Sequence, residues 1–181
     1  MGTDKSRLTL EGQSFIERIS EALLEVTSKV SVVGQDCYDL KLESIADVYP
    51  KWGALGGVQA ALSSCRSNWA IVVACDLPFV TTELCKRLIT LRESYDAVVP
   101  VQKDSRPQPL CALYKVEPCL AQATQLIEAG QRRPLDLLER VKTRWVKFSE
   151  LEDLPGVDKF FVNINTPEDY YELSRTRVEG D

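Results

Sequence analysis

Four short stretches of this chain carry side chains able to do chemistry together. Asp76-Leu77-Pro78-Phe79 puts an acid directly after the apolar run Trp69–Cys75. Open α/β sheets bind ligands beyond the carboxyl ends of their strands. A carboxylate there suits Mg²⁺, which takes one or two carboxylates together with phosphate oxygens. The same Asp serves equally well as an ordinary turn or cap residue. Asn163 and Asn165 flank one position at the end of the run Phe160–Ile164, so on a strand they share a face. Their amide oxygens suit a hard cation or a ribose hydroxyl, and the plainer reading is a strand-to-helix turn. Gly53-Ala54-Leu55-Gly56-Gly57 leads into a helix, where glycines let backbone N–H groups approach an anion or let a helix pack tightly on a sheet. Asp47, six residues before Gly53, is placed to reach a sugar hydroxyl or is a solvated loop acid. Lys5, in Met1-Gly2-Thr3-Asp4-Lys5, would neutralise a transferring phosphoryl group or fray with the terminus.

These residues need a frame that brings them to one place. Phe15–Val26 sets Ile16, Ile19, Leu23 and Val26 on one helical face. Lys29–Val33 is a short β-branched strand. Val58–Ser64 continues from the glycines as a helix, and Trp69–Cys75 reads as a central parallel strand. A helix over Thr82–Leu91 and a strand over Asp96–Val101 follow. After the polar turn Gln102–Pro107, Leu110–Val116 returns as a strand. Helices are expected over Pro118–Ala129 and Arg133–Val141, with strands over Thr143–Phe148 and Phe160–Ile164. Thr166, Pro167, Glu168 and Asp169 then suit the start of a last helix. The alternation predicts a single α/β domain over residues 1–181, Rossmann-like, with a mostly parallel sheet and helices on both faces.

Composition removes several classes of function. The chain has 181 residues, 22 Lys plus Arg against 27 Asp plus Glu, and a net charge of −5. That balance argues against a nucleic-acid partner. No apolar run reaches the roughly 18 residues of a membrane span, and no signal peptide is visible. The histidine count is 0, which excludes His-based triads and His general bases. The six cysteines, Cys37, Cys65, Cys75, Cys85, Cys111 and Cys119, form no C-x-x-C pair. They read as reduced, mostly buried small hydrophobes of a cytoplasmic protein, and no nucleophilic cysteine is expected.

Taken in order, MGTDK, D-x5-GALGG, VVACDLPF, RPQPLCALY and NINTPEDY resemble the molybdenum cofactor guanylyltransferases, within the nucleotidyltransferase superfamily and its nucleotide-diphospho-sugar transferase type of fold. The resemblance runs from Met1 to about Leu173. It implies transfer of GMP from GTP to the molybdopterin form of molybdenum cofactor, with release of pyrophosphate. Mapped by motif, it makes Asp76 the Mg²⁺ ligand, with Asn165 completing the metal site and Asn163 beside it. Lys5 would contact the triphosphate, and Asp47 the guanosine. Gly53, Gly56 and Gly57 would pass close to the nucleotide. Arg106, Gln108, Pro109 and Leu110 would lie on the acceptor side. A cytoplasmic setting and transient contacts with cofactor-assembly proteins and molybdoenzymes are implied too. Phosphoryl-group transfer asks a protein mainly for alignment and charge, which a chain without histidine can supply.

One departure stands out. The family signature opens with a strand and a glycine-rich loop before M-G-x-D-K, whereas here the only methionine begins that motif. The expectation is a domain lacking its first strand, of about 5–6 residues, and the loop after it. Base selectivity lies largely in that loop. A related enzyme using CTP or a sugar phosphate therefore stays open, as does a shortened, non-catalytic nucleotide-binding homologue.

Overall fold

The computed structural model describes residues 9–10, 12–34, 42–164 and 169. It opens with a small antiparallel pair, β1 (Thr9–Leu10) and β2 (Gln13–Ser14). Helix α1 (Phe15–Leu24) starts at once, because Ser14 and Glu17 form a reciprocal cap. The Glu17 amide donates to Ser14 Oγ at 3.3 Å, and the Ser14 amide donates to Glu17 Oε2 at 2.7 Å. Next come β3 (Ser31–Val33) and β4 (Glu43–Ile45), which pair in parallel. An ion pair between Lys29 and Glu43 ties their starts.

Helix α2 (Gly53–Ser64) leads to β5 (Trp69–Val73), then α3 (Thr82–Thr90) and β6 (Ala97–Pro100). Strand β7 (Cys111–Lys115) runs directly into α4 (Val116–Glu128), followed by α5 (Pro134–Arg140) and β8 (Thr143–Val146). Two 3₁₀ turns, Phe148–Glu150 and Val157–Lys159, follow. The main sheet has the order β5-β7-β6-β8. β7 is antiparallel to both its neighbours, and β6 is parallel to β8. Three of these strands therefore share one direction, and β7 alone returns.

Period-two alternation along the strands fills two layers. Val98, Cys111, Leu113 and Val146 point to a layer shared with Ile19, Leu23, Leu84 and Leu88 of α1 and α3. Ala97, Val99, Ala112 and Tyr114 point to the other, shared with Leu55, Val58, Leu62, Leu126, Leu137 and Leu138 of α2, α4 and α5. Helices thus cover both faces, as expected.

Four local expectations are corrected. β4 is an added strand that residue types do not announce, because Glu43-Ser44-Ile45 is short and largely exposed. The glycine run forms the first turns of α2, five residues ahead of Val58. β5, expected as a central parallel strand, stands at the edge of the four-stranded sheet among the described residues and pairs antiparallel with β7, although it lies parallel to β6 and β8. Phe160–Ile164 is not a strand: Gly156 at φ 77° and the turn Val157–Lys159 curl the chain, and Phe160 and Phe161 turn with it. Their apolar side chains join the layer of α1 and α3 without any ladder. The helix expected from Thr166 lies outside the described residues, apart from helical Asp169.

Cys85, Cys111 and Cys119 are buried, and burial pushes all three thiols up, Cys85 to about 11 and Cys119 to about 12. An unfolded thiol titrates near 9. The unfolded chain therefore sheds these protons first, and the stability they carry is full below about pH 9 and lost as pH rises toward 11–12. Urea midpoints are expected to fall between about pH 8 and about pH 10.5, and less steeply in Cys85→Ala. An identical fall in both proteins would remove Cys85 from the account.

Candidate active site at the carboxyl end of the sheet

The loops at one end of the sheet gather most of the candidate residues. β5 and β6 end there at Val73 and Pro100, and β7 begins there at Cys111, opposite Val73. Helix α4 starts at the other end and runs 13 residues, or roughly 20 Å. It returns the segment 129–133 to this end. The amino-terminal turn of α2 is there as well, since Trp52 Nε1–H donates to the Gln131 carbonyl at 2.8 Å.

Asp76 sits in the turn after β5. The Ala74 amide donates to Leu110 O at 2.7 Å and the Leu77 amide to Ala74 O at 3.2 Å. Leu77 and Val80 are buried and anchor the turn, while Asp76 stays half-buried. The Ile164 amide donates to Asp76 O at 3.1 Å, and Ile164 is fully buried. That bond brings exposed Asn163 to the Asp76 turn from a segment 87 residues away in the chain, counted from 76 to 163. So the Asp76 stretch and the Asn163 stretch meet, although Asn163 is carried by an irregular segment, not a strand. Asn165 and Lys5 lie outside the described residues.

The approach to α2 is built from unusual backbone. Lys51 and Gly53 both take positive φ, 67° in each case. Gly56 is buried, and a Cβ there would sit 2.9 Å from Trp52 Cβ and 3.3 Å from Tyr49 O. Its missing side chain therefore serves packing. Gly57 has open space where its Cβ would be, and Gly53 is exposed. Asp47 is exposed just before this turn. It faces Gly34, where an added Cβ would lie 3.5 Å from Asp47 Oδ2.

The loop between β6 and β7 is a tight hairpin end. The Gln102 amide donates to Arg106 O at 2.9 Å, and Val101 bridges Pro107. Arg106 is exposed, and its guanidinium meets Asp104 at 2.6 Å. The hydrogen bond to Asp104 raises the arginine, and the hydrogen bond from Arg106 lowers Asp104. Gln108 is held through its amide to Pro100 O, and Pro109 through its carbonyl, which accepts from the buried Tyr114 hydroxyl at 2.6 Å.

Sequence reasoning missed Gly34, Trp52 and Arg132 at this end. Gly34 carried a usable signal, a glycine closing a β-branched run. Trp52 and Arg132 carried none, because their contact spans 80 residues of chain, from 52 to 132. Among the described residues no three His, Cys, Asp or Glu side chains cluster as a metal site. The Asp76 carboxylate and the Asn163 amide each offer an oxygen of the kind Mg²⁺ accepts together with water and phosphate.

A sheet covered on both faces, with an acid, a glycine-rich helix start and an asparagine turn at one end, defines an α/β protein of the nucleotide-handling kind. The family described as MobA-like NTP transferase domain matches residues 1–144, and the chain belongs to it. A probable molybdenum cofactor guanylyltransferase of Pelotomaculum thermopropionicum is 30% identical, over 100% of this chain and 87% of its own. The molybdenum cofactor guanylyltransferase of Vibrio parahaemolyticus is 31% identical, over 93% of this chain and 85% of its own. The crystal structure of molybdopterin-guanine dinucleotide biosynthesis protein A from Archaeoglobus fulgidus superposes with a TM-score of 0.78 at 26% identity, covering 98% of this chain and 92% of that one. A Thermus thermophilus cytidylyltransferase shares the fold, with a TM-score of 0.69 at 16% identity. No helix among the described residues is long and apolar enough to cross a membrane.

Gly56→Ala is expected to cost about 1–3 kcal/mol, because Trp52 or the Tyr49 carbonyl must move. Chemical denaturation measures this directly, and a neutral result would mean that the α2 start is not packed as described.

Proposed function

We propose that this transferase moves GMP from GTP to the molybdopterin form of molybdenum cofactor and releases pyrophosphate. The observation that carries the reading is the bond from the Ile164 amide to Asp76 O. It joins the acid after β5 to the asparagine turn, the two motifs a guanylyltransferase of this family would use for its metal. The names of the relatives support the substrate assignment.

In this reading Asp76 and Asn165 hold Mg²⁺, with Asn163 beside them. The ion would supply charge neutralisation at the phosphates and ease departure of pyrophosphate. Lys5 neutralises the triphosphate, Asp47 binds the guanosine, and Gly53 and Gly57 let the nucleotide approach the start of α2. Gln108, Pro109 and Arg106 shape the acceptor side. The acceptor's phosphate oxygen attacks the α-phosphorus in line, so the protein needs no strong base. Its work is alignment and electrostatics. Product would pass from the cytoplasmic enzyme to molybdoenzymes through transient contacts.

The domain takes one further strand beside β5 in this proposal. Helix α2 packs on β3, β4 and β5 together, while β5 pairs on one side only among the described residues. A strand there would join the two sheet pieces under one helix.

Asp76→Asn is expected to lower kcat at least about a hundredfold with the fold retained, read by pyrophosphate release from GTP. Turnover that survives the change would sink the metal site. Gly57→Ala is expected to stabilise the chain by about 0.4–1 kcal/mol, since its space is open, and yet to raise the Kd for GTP. Unchanged GTP binding would move the nucleotide away from α2.

A further inference from the structure

Three arginines stand at the carboxyl end of the sheet, and they are not equivalent. Arg106 is taken by Asp104 at 2.6 Å. Arg133 faces Asp136 at 3.8 Å. Arg132 has no carboxylate partner among the described residues. Its guanidinium carbon lies over the Trp52 ring, 4.6 Å from the centroid. A cation–π contact fixes a guanidinium without consuming any of its five N–H donors.

Trp52 is itself held from three sides. Its Nε1–H donates to Gln131 O at 2.8 Å. Its Cβ lies so near Gly56 that a side chain there would meet it at 2.9 Å. Its ring packs against the layer of α2, α4 and α5. The indole therefore ties the α4–α5 segment to the α2 start and sets the position of Arg132 there.

We propose that Arg132 is a phosphoryl-binding residue, positioned by Trp52. A planar cation with open donors suits a phosphate better than water alone does. Two sources of that group are chemically open, the polyphosphate of the nucleotide and the phosphate monoester of the acceptor. The inference rests on the nucleotidyl-transfer reading above.

The test titrates the full chain with tripolyphosphate for the first source and phenyl phosphate for the second, by calorimetry. Arg132→Ala is expected to weaken one of the two about tenfold, and Arg132→Lys to restore it only in part. Trp52→Phe keeps a ring under Arg132 and removes the N–H donor. It is expected to weaken the same anion severalfold while the thermal midpoint shifts by no more than a few degrees. In turnover, KM for the matching substrate rises while kcat stays within about twofold. Unchanged binding of both anions in Arg132→Ala overturns the proposal, and so does a Trp52→Phe effect confined to thermal stability. Wild-type binding of tripolyphosphate or phenyl phosphate without preference for GTP over CTP, ATP and UTP overturns the guanylyl assignment and leaves the Arg132 result standing. Wild-type chain that binds neither anion overturns both.

Discussion

Because β7 runs antiparallel between β5 and β6, this protein has both a core and a site. Five consecutive register pairs join β7 to β5, from Trp69–Lys115 to Val73–Cys111. Alternate residues of the same strand enter opposite layers, Cys111 and Leu113 on one side, Ala112 and Tyr114 on the other. Truncating Leu113 to Ala would remove about 2–5 kcal/mol on general grounds, and the loss would be felt across the sheet. The returning strand also carries chain back to the end where β5 stops. The β6–β7 loop, with Arg106 and Gln108, is set beside the Asp76 turn for that reason.

The start of α2 shows what the site asks of local stability. Two glycines inside a helix each cost roughly 0.5–1 kcal/mol relative to alanine, and Lys51 in a left-handed conformation adds strain. Gly56 is explained by Trp52 and Tyr49 pressing on it. Gly57 has no such neighbour, and the space where its Cβ would stand is open. Trp52 offsets part of the strain through its indole hydrogen bond and its place in the apolar layer. The surrounding arginines divide by partner. Carboxylates hold Arg106 and Arg133, whereas an aromatic ring holds Arg132.

Much of this fold is legible in residue type and spacing. The apolar face of α1 and the apolar runs of β6 and β7 follow from them. The departures share one cause. Phe160-Phe161-Val162 is as apolar as a strand, but Phe160 is buried and Phe161 packs beside it from a curled backbone. Glu43-Ser44-Ile45 is polar enough to look like loop, yet it pairs with β3. Local pattern reports what must be buried, and it does not report whether a ladder partner is at hand.

For the site, the sequence by itself determined which chemistry was available. Without histidine, with an acid after an apolar run and asparagines before Thr-Pro, the side chains suited metal, phosphate and alignment. Tertiary structure alone decided which of them meet. The Ile164 amide reaches Asp76, Gln131 reaches Trp52, and Arg132 lies over that ring, all across 79 residues or more. No periodicity can encode contacts that distant. They exist because one strand reverses direction inside an otherwise parallel sheet and brings its loops to a common end.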